Sequence, residues 1–334
     1  MSDTYRAIEQ YRFGENFAQA TRIVELPVTA PGTGEIRVRN TWCGINGIFD
    51  RQLARNMVDY VKIGLPTYVG VEAVGVVEEI GSGVSGFAVG DAVASTRFGN
   101  GYREMITAPA DNFVAVPKAD AECLTLASSG VAAWLGLTLT GELTGGEVLA
   151  VSAAAGGLGH LDVQIGKALG AHVIAICGGA KKAALVAELG ADRVIDYRVE
   201  NVGEVLDAEY RDRLDVAIDT VGGEIFDAFV RNIAPRGRCV LSGAASEMEG
   251  APPLVTRPRI GHALYYKGAS VRSFMNGLVT EHWPAARHEV FALYRAGKLR
   301  PVLDHHGLSG IEQIPELVER LQSGASMGKV ALRF

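Results

Sequence analysis

The sequence lacks several things, and each absence removes a class of protein. It has only four cysteines, Cys43, Cys123, Cys177 and Cys239, and none is paired at CxxC or CxxxC spacing. A cysteine-based structural zinc site is therefore not expected, and the four thiols read as reduced and mostly buried. It lacks excess positive charge: 32 Lys and Arg face 38 Asp and Glu, for a net charge of -6. Nucleic acids and anionic membrane surfaces are bound by basic faces, so neither is an expected partner. No apolar run of about 18 residues is visible, and no membrane span is expected. The opening MSDTYRAIEQYRF is charged and lacks the apolar core of a signal peptide. The closing ALRF matches no peroxisomal or prenylation address. These absences together lead to an expected cytoplasmic location. Proline is sparse at 12 residues, which argues against general disorder. None of the seven histidines forms an HxxxH or HExxH pair, and His305-His306 reads as surface or turn.

Glycine, by contrast, is abundant: 41 in 334 residues, well above a usual share of ~7%. The excess has no period, so collagen is excluded. The length suits about two domains. Residues 1–122 read as β-rich, with short runs such as Glu35–Arg39, Val69–Ile80 and Asp91–Ser95, the last two separated by the turn GSGVSGFAVGD. From Glu147 the pattern alternates strand and helix. Strands are expected at 147–152, 171–176, 193–196, 214–219, 238–242 and 269–274. Helices are expected at 157–170, at 181–189 and from 223 to about 234. Short glycine-rich joints between alternating elements indicate a doubly wound parallel sheet over 123–274. Residues 246–266, with Pro252, Pro253 and Pro258, read as a loop or lid. The segment 275–334 is expected to be helical with a final strand, and to complete the first domain.

The strongest chemical signal is Val151-Ser-Ala-Ala-Ala-Gly-Gly-Leu-Gly159, which follows a strand and opens a helix. It fits GxGxxG with Ala154 in the first position. Gly156 lets main chain approach a pyrophosphate, and Gly159 lets helix and strand pack closely. Ser152, Ala155, Gly156, Gly157, Leu158 and Gly159 are thus candidate cofactor contacts. A ribose-binding acid is usual about 20 residues on. Here the second strand ends Ile176-Cys177-Gly178-Gly179-Ala180-Lys181-Lys182, with two lysines and no acid. Cys177, Gly178 and Lys182 therefore point to a ribose phosphate, and the expected cofactor is NADPH rather than NADH.

The stretches Asn40–Asp50, Gly70-Val-Glu-Ala-Val-Gly75, Gly86–Val93, the glycine loop and Val221-Gly222-Gly223 occur in the order seen in the medium-chain dehydrogenase/reductase superfamily. The chain resembles that family over nearly its whole length. The resemblance implies a GroES-like β-barrel catalytic domain and a Rossmann domain. Zinc-dependent members carry Cys where this chain has Asn46 and His where it has Val71, so no metal is expected. Leu124–Leu126, Ile195-Asp-Tyr197, Phe226-Asp227 and Gly328-Lys-Val330 are similar to the zinc-free, prostaglandin reductase-like enone reductases and quinone oxidoreductases. That resemblance implies hydride transfer to the C=C bond of a small hydrophobic enone, or to a quinone.

By position, Lys182 and Tyr197 resemble the adenosine-side contacts. Val221, Gly222, Ser242, Gly243, Phe274 and Met275 fall where the family lines the nicotinamide pocket. Asn46 falls where zinc-free relatives hold the nicotinamide ribose or the substrate, although a turn cap is its simpler role. Tyr266 resembles the tyrosine of leukotriene B4 dehydrogenase-like enzymes and is the expected donor to an enolate oxygen. Tyr265 is its alternate, and lid packing explains both. Lys329 is either an ion-pairing strand residue or a cofactor contact. A non-catalytic NADPH-binding protein is the expectation of another class. Residues 269–274 are expected at a sheet edge, where a second copy would pair.

Overall fold

The computed structural model describes residues 4–58, 62–248, 254–304 and 307–334. The chain divides into two compact units, 1–128 with 302–334 and 129–301. Pro252, Pro253, His305 and His306 lie outside the described residues.

The first unit is built on the long strand Glu35–Gly44, in which Ile36, Val38, Asn40 and Cys43 turn inward. It pairs antiparallel with Glu72–Ile80, with Met105–Pro109 and with the last strand, Lys329–Arg333. A seven-stranded sheet and a separate three-stranded one result, matching the expected GroES-like barrel. Two apolar clusters fill it. One gathers Ile36, Val38, Val77, Val93, Ile106 and Phe113. The other joins Phe17, Ile45, Leu53 and Tyr102 to Ile314, Leu317 and Val318 of a C-terminal helix. That helix, Ile314–Gln322, packs on Gly47–Ala54. The close approach needs Gly47, where a Cβ would stand 2.8 Å from the Val318 carbonyl oxygen.

The second unit holds six parallel strands: Val148–Val151, His172–Cys177, Arg193–Asp196, Leu214–Asp219, Ile233–Leu241 and Ser270–Ser273. Their spatial order is third, second, first, fourth, fifth, sixth. This is the doubly wound order of a dinucleotide-binding sheet, with its reversal between the first and fourth strands. The central strands are buried along most of their length, as their apolar runs predict. The helices Gly159–Ala168, Ala180–Glu188, Val202–Glu209 and Gly223–Asn232 follow the first four strands. The sixth strand lies at the edge of the sheet.

Three sequence expectations change. Residues 275–301 belong with the second unit, because the helix Trp283–Arg295 packs on the helical turns at Val131–Leu135. The expected lid contains a short helix, Ile260–Tyr265. Residues Ala121–Thr140 form a helix long and apolar enough to cross a membrane, with mean hydropathy 1.4. Interspersed Ser, Thr and Gly hide this run in the sequence. Some 61% of the residues in its apolar window are buried inside the protein, which is how a core helix behaves.

Candidate active site

The glycine loop sits at the reversal of strand order, where such sheets take their ligands. Its first turn is tight: Ala153 has φ +45°, and the Gly156 N–H donates to the Ala153 carbonyl at 2.8 Å. Gly159 is required by space. A Cβ there would lie 2.4 Å from the Ala153 oxygen and 2.8 Å from the Ala154 Cα, both main chain. Ala155 is buried, whereas Gly156, Gly157 and Leu158 are half-buried. This glycine-lined turn into a helix N-terminus fits the pyrophosphate of a dinucleotide.

Ser152 directly follows the first strand and is 1% exposed. Its hydroxyl donates to Asp219 Oδ1 at 2.7 Å and accepts the Thr220 N–H at 2.8 Å, so it locks the first strand to the fourth. Asp219 also accepts the N–H groups of Val221 and Gly222, at 2.9 and 3.0 Å. Burial raises its pKa, and these hydrogen bonds act against that rise. The carboxylate thereby shapes the turn that presents Val221 and Gly222. Gly222 has φ +79°, a region that favours glycine. Ser242 donates its N–H to the Asp219 carbonyl, and Gly243 packs against Thr220. Phe274 is buried and Met275 half out in solvent. Sequence reading missed Glu247, whose carboxylate accepts the Gly223 N–H at 2.7 Å and caps the helix beginning there.

At the far end of the cradle, Cys177 is buried, and burial pushes its thiol up to about 11. Gly178 faces the ring of Tyr197: a Cβ there would be 2.3 Å from Tyr197 Cζ. Gly179 has φ +95°. Asp196 Oδ1 accepts the Gly179 N–H at 2.7 Å and the Arg198 N–H at 3.0 Å, which lowers its pKa. Lys182 lies in the first turn of Ala180–Glu188, whose N-cap Gly179 offers no side-chain acceptor. Tyr266 is 78% and Tyr265 79% exposed. Their rings meet edge-to-face at 5.2 Å, and the Tyr266 ring also meets His262 at 5.3 Å.

Asn46 lies in the first unit, in a buried polar cluster that only folding assembles. Its Nδ2 donates to Glu72 Oε1 at 2.8 Å, and its Oδ1 accepts from Lys329 Nζ at 3.1 Å. Lys329 also pairs with Glu72 itself. Asn46 stands at a helix N-cap but makes no side-chain cap; Asp50 accepts the Asn46 N–H instead. Tyr102 donates its hydroxyl to Asp50 at 2.5 Å. Burial pushes the Asp50 carboxyl up to about 7 and the Cys43 thiol higher still above its ordinary value. Lys329 is thus an ion-pairing residue here, of the two roles open to it in sequence. Among the described residues no group of three or more His, Cys, Asp or Glu stands close enough to hold a metal.

Two family models match the chain: the alcohol dehydrogenase GroES-like domain over residues 32–118 and the zinc-binding dehydrogenase over 157–292. Bovine prostaglandin reductase-3 is 34% identical, over 97% of this chain and 88% of its own. A probable quinone oxidoreductase of Leishmania amazonensis is 30% identical, over 99% and 98%. The chain belongs to the medium-chain dehydrogenase/reductase superfamily. Among solved structures, the Escherichia coli quinone oxidoreductase complexed with NADPH superposes with a TM-score of 0.82 at 28% identity, covering 98% of this chain and 100% of that one. The superfamily's fold, a GroES-like sheet and a Rossmann sheet, is the one described above. Its zinc-binding label meets Asn46 and Val71 here, and the cation beside Asn46 is the chain's own Lys329 ammonium.

Proposed function

We propose that this chain is an NADPH-dependent oxidoreductase that reduces the C=C bond of α,β-unsaturated ketones or aldehydes without a metal ion. The observation that carries this reading is the glycine cradle at the strand reversal, where Gly159 admits no Cβ. NADPH, when bound, would supply the hydride to the β-carbon of the substrate, and a proton from solvent would complete the reduction at the α-carbon. The chain's residues do the rest. Gly156, Gly157, Leu158 and Gly159, with the main chain at Ser152 and Ala155, hold the pyrophosphate. Cys177, Gly178, Lys182 and Tyr197 surround the adenosine ribose and its phosphate. Val221, Gly222, Ser242, Gly243, Phe274 and Met275 line the nicotinamide end.

Asn46 contacts the nicotinamide ribose or the substrate. Lys329 and Glu72 fix its amide, leaving one N–H and one lone pair for that contact. Tyr266 donates its hydroxyl to the carbonyl oxygen as enolate charge develops, with Tyr265 as alternate. A quinone is the second substrate class, supported by the relatives named quinone oxidoreductase. The protein acts in the cytoplasm as a homodimer. Support for this comes from four free, buried cysteines and from an edge strand, Ser270–Ser273, open to a second copy.

The test follows NADPH oxidation with a panel of bulky enones and quinones. Turnover of enones and not quinones supports the first substrate class; the converse selects the second. Tight NADPH binding with no oxidation across the panel replaces the enzyme by a cofactor-binding protein. Tyr266→Phe is expected to lower kcat by roughly 100-fold, as loss of one oxyanion donor does. Unchanged turnover removes that role from Tyr266.

A further inference from the structure

The end of the second strand has no side chain with which to grip a phosphate. Gly178 is closed by the Tyr197 ring, and Gly179 has φ +95°, a conformation that L side chains rarely adopt. Beyond Lys182 in the helix that follows, side-chain recognition at this loop must come from elsewhere in the fold. Arg198 stands over it. Its Nη1 is 3.3 Å, and its Cζ 3.7 Å, from where a Cβ on Gly179 would be. The guanidinium therefore fills the place that a side chain at 179 would take. Asp196 fixes this arrangement by accepting the main-chain N–H groups of both Gly179 and Arg198, at 2.7 and 3.0 Å. Among the described residues no side-chain hydrogen bond or ion pair engages the Arg198 guanidinium, which is exposed.

We propose that Arg198 is a specificity-determining residue that binds the 2′-phosphate of the cofactor, together with Lys182, and so sets the preference for a phosphorylated ribose. The proposal rests on the NADPH reading above and deepens it. A guanidinium presents paired N–H donors that match two phosphate oxygens, whereas Lys182 supplies a point charge from the first helical turn. The helix that starts at Gly179 has no side-chain cap, so its first N–H groups and dipole favour an anion at the same place. Arg198 is 16 residues beyond Lys182 and follows a different strand. Only the parallel pairing of Cys177 with Asp196 brings the two loops side by side.

Calorimetric titration with adenosine 2′,5′-bisphosphate and with 5′-AMP separates the outcomes, independently of turnover. The wild-type chain is expected to prefer the bisphosphate. Arg198→Ala is expected to weaken the bisphosphate by about tenfold or more and to leave 5′-AMP unchanged. Arg198→Lys is expected to restore part of the loss. An unchanged bisphosphate affinity in Arg198→Ala overturns the proposal, and so does an equal loss for both nucleotides. A wild-type chain that does not distinguish the two nucleotides overturns the NADPH reading as well.

Discussion

Lys329 Nζ and Asn46 Oδ1 lie 3.1 Å apart, although 283 residues separate them in the chain. The same ammonium pairs with Glu72, which is fully buried. Asn46 is therefore held from both ends of its amide, and Lys329 acts on it as a positioning residue.

Removing that ammonium leaves a buried carboxylate without its cation. Lys329→Met is expected to cost about 3–5 kcal/mol, read from the urea midpoint. Adding Glu72→Gln should recover much of the loss, because the second change removes the orphaned charge. A single variant as stable as wild type would mean that the Lys329–Glu72 pair contributes no net stability.

Asp162 is a second buried acid, with neither oxygen hydrogen-bonded among the described residues. Burial alone pushes its carboxyl up to about 8. The folded state therefore keeps a proton that the unfolded chain releases near pH 4. Stability contributed by this group is full below about pH 4 and falls as pH rises towards 8. Asp162→Asn is expected to flatten that part of the profile and to stabilise the protein at pH 8 by on the order of a few kcal/mol. Thermal melts of both proteins between pH 4 and 8 check the slope.

Gly159→Ala places a methyl 2.4 Å from the Ala153 oxygen, where no flexible side chain can yield. The loop or the helix has to move. A loss of about 1–3 kcal/mol is expected, with loss of NADPH binding. Gly156→Ala meets the same oxygen at 3.1 Å and should be milder. Melts and a fluorescence titration with NADPH compare the two variants.

Gly178→Ala drives a methyl into the Tyr197 ring, 2.3 Å from Cζ. Tyr197 is half exposed, so its ring can swing outward. A double-mutant cycle with Tyr197→Ala is expected to show coupling above about 0.5 kcal/mol. Strict additivity would place the two residues apart.

Much of the second unit was legible in the sequence. Its strands are short apolar runs ended by glycine, and local signals of that kind do not depend on distant partners. The glycine loop was legible for the same reason. The roles of Glu72, Lys329, Glu247 and Arg198 were not, because each depends on which strands become neighbours. Lys329 lies in a strand pattern like any other until its strand pairs with Trp42–Gly44. Likewise, Asn46 before a helix looks like a cap, yet its amide is taken up by Glu72 and Lys329 instead. The share of 275–301 between units was misread because a polar-faced helix does not say which partner covers its apolar side.

The first unit is discontinuous, with 129–301 interposed before its last strand. On a ribosome, the strand Glu35–Gly44 must wait for about 285 further residues before Ala331–Arg333 reach it. At the usual elongation rate of roughly 5–20 residues per second, that wait is on the order of 15–60 seconds. Throughout it the edge at Trp42–Gly44 is open to strands of other nascent chains. The polar cluster around Asn46 is completed only once Lys329 has been made, so this half of the protein gains its chemistry after the interposed 129–301.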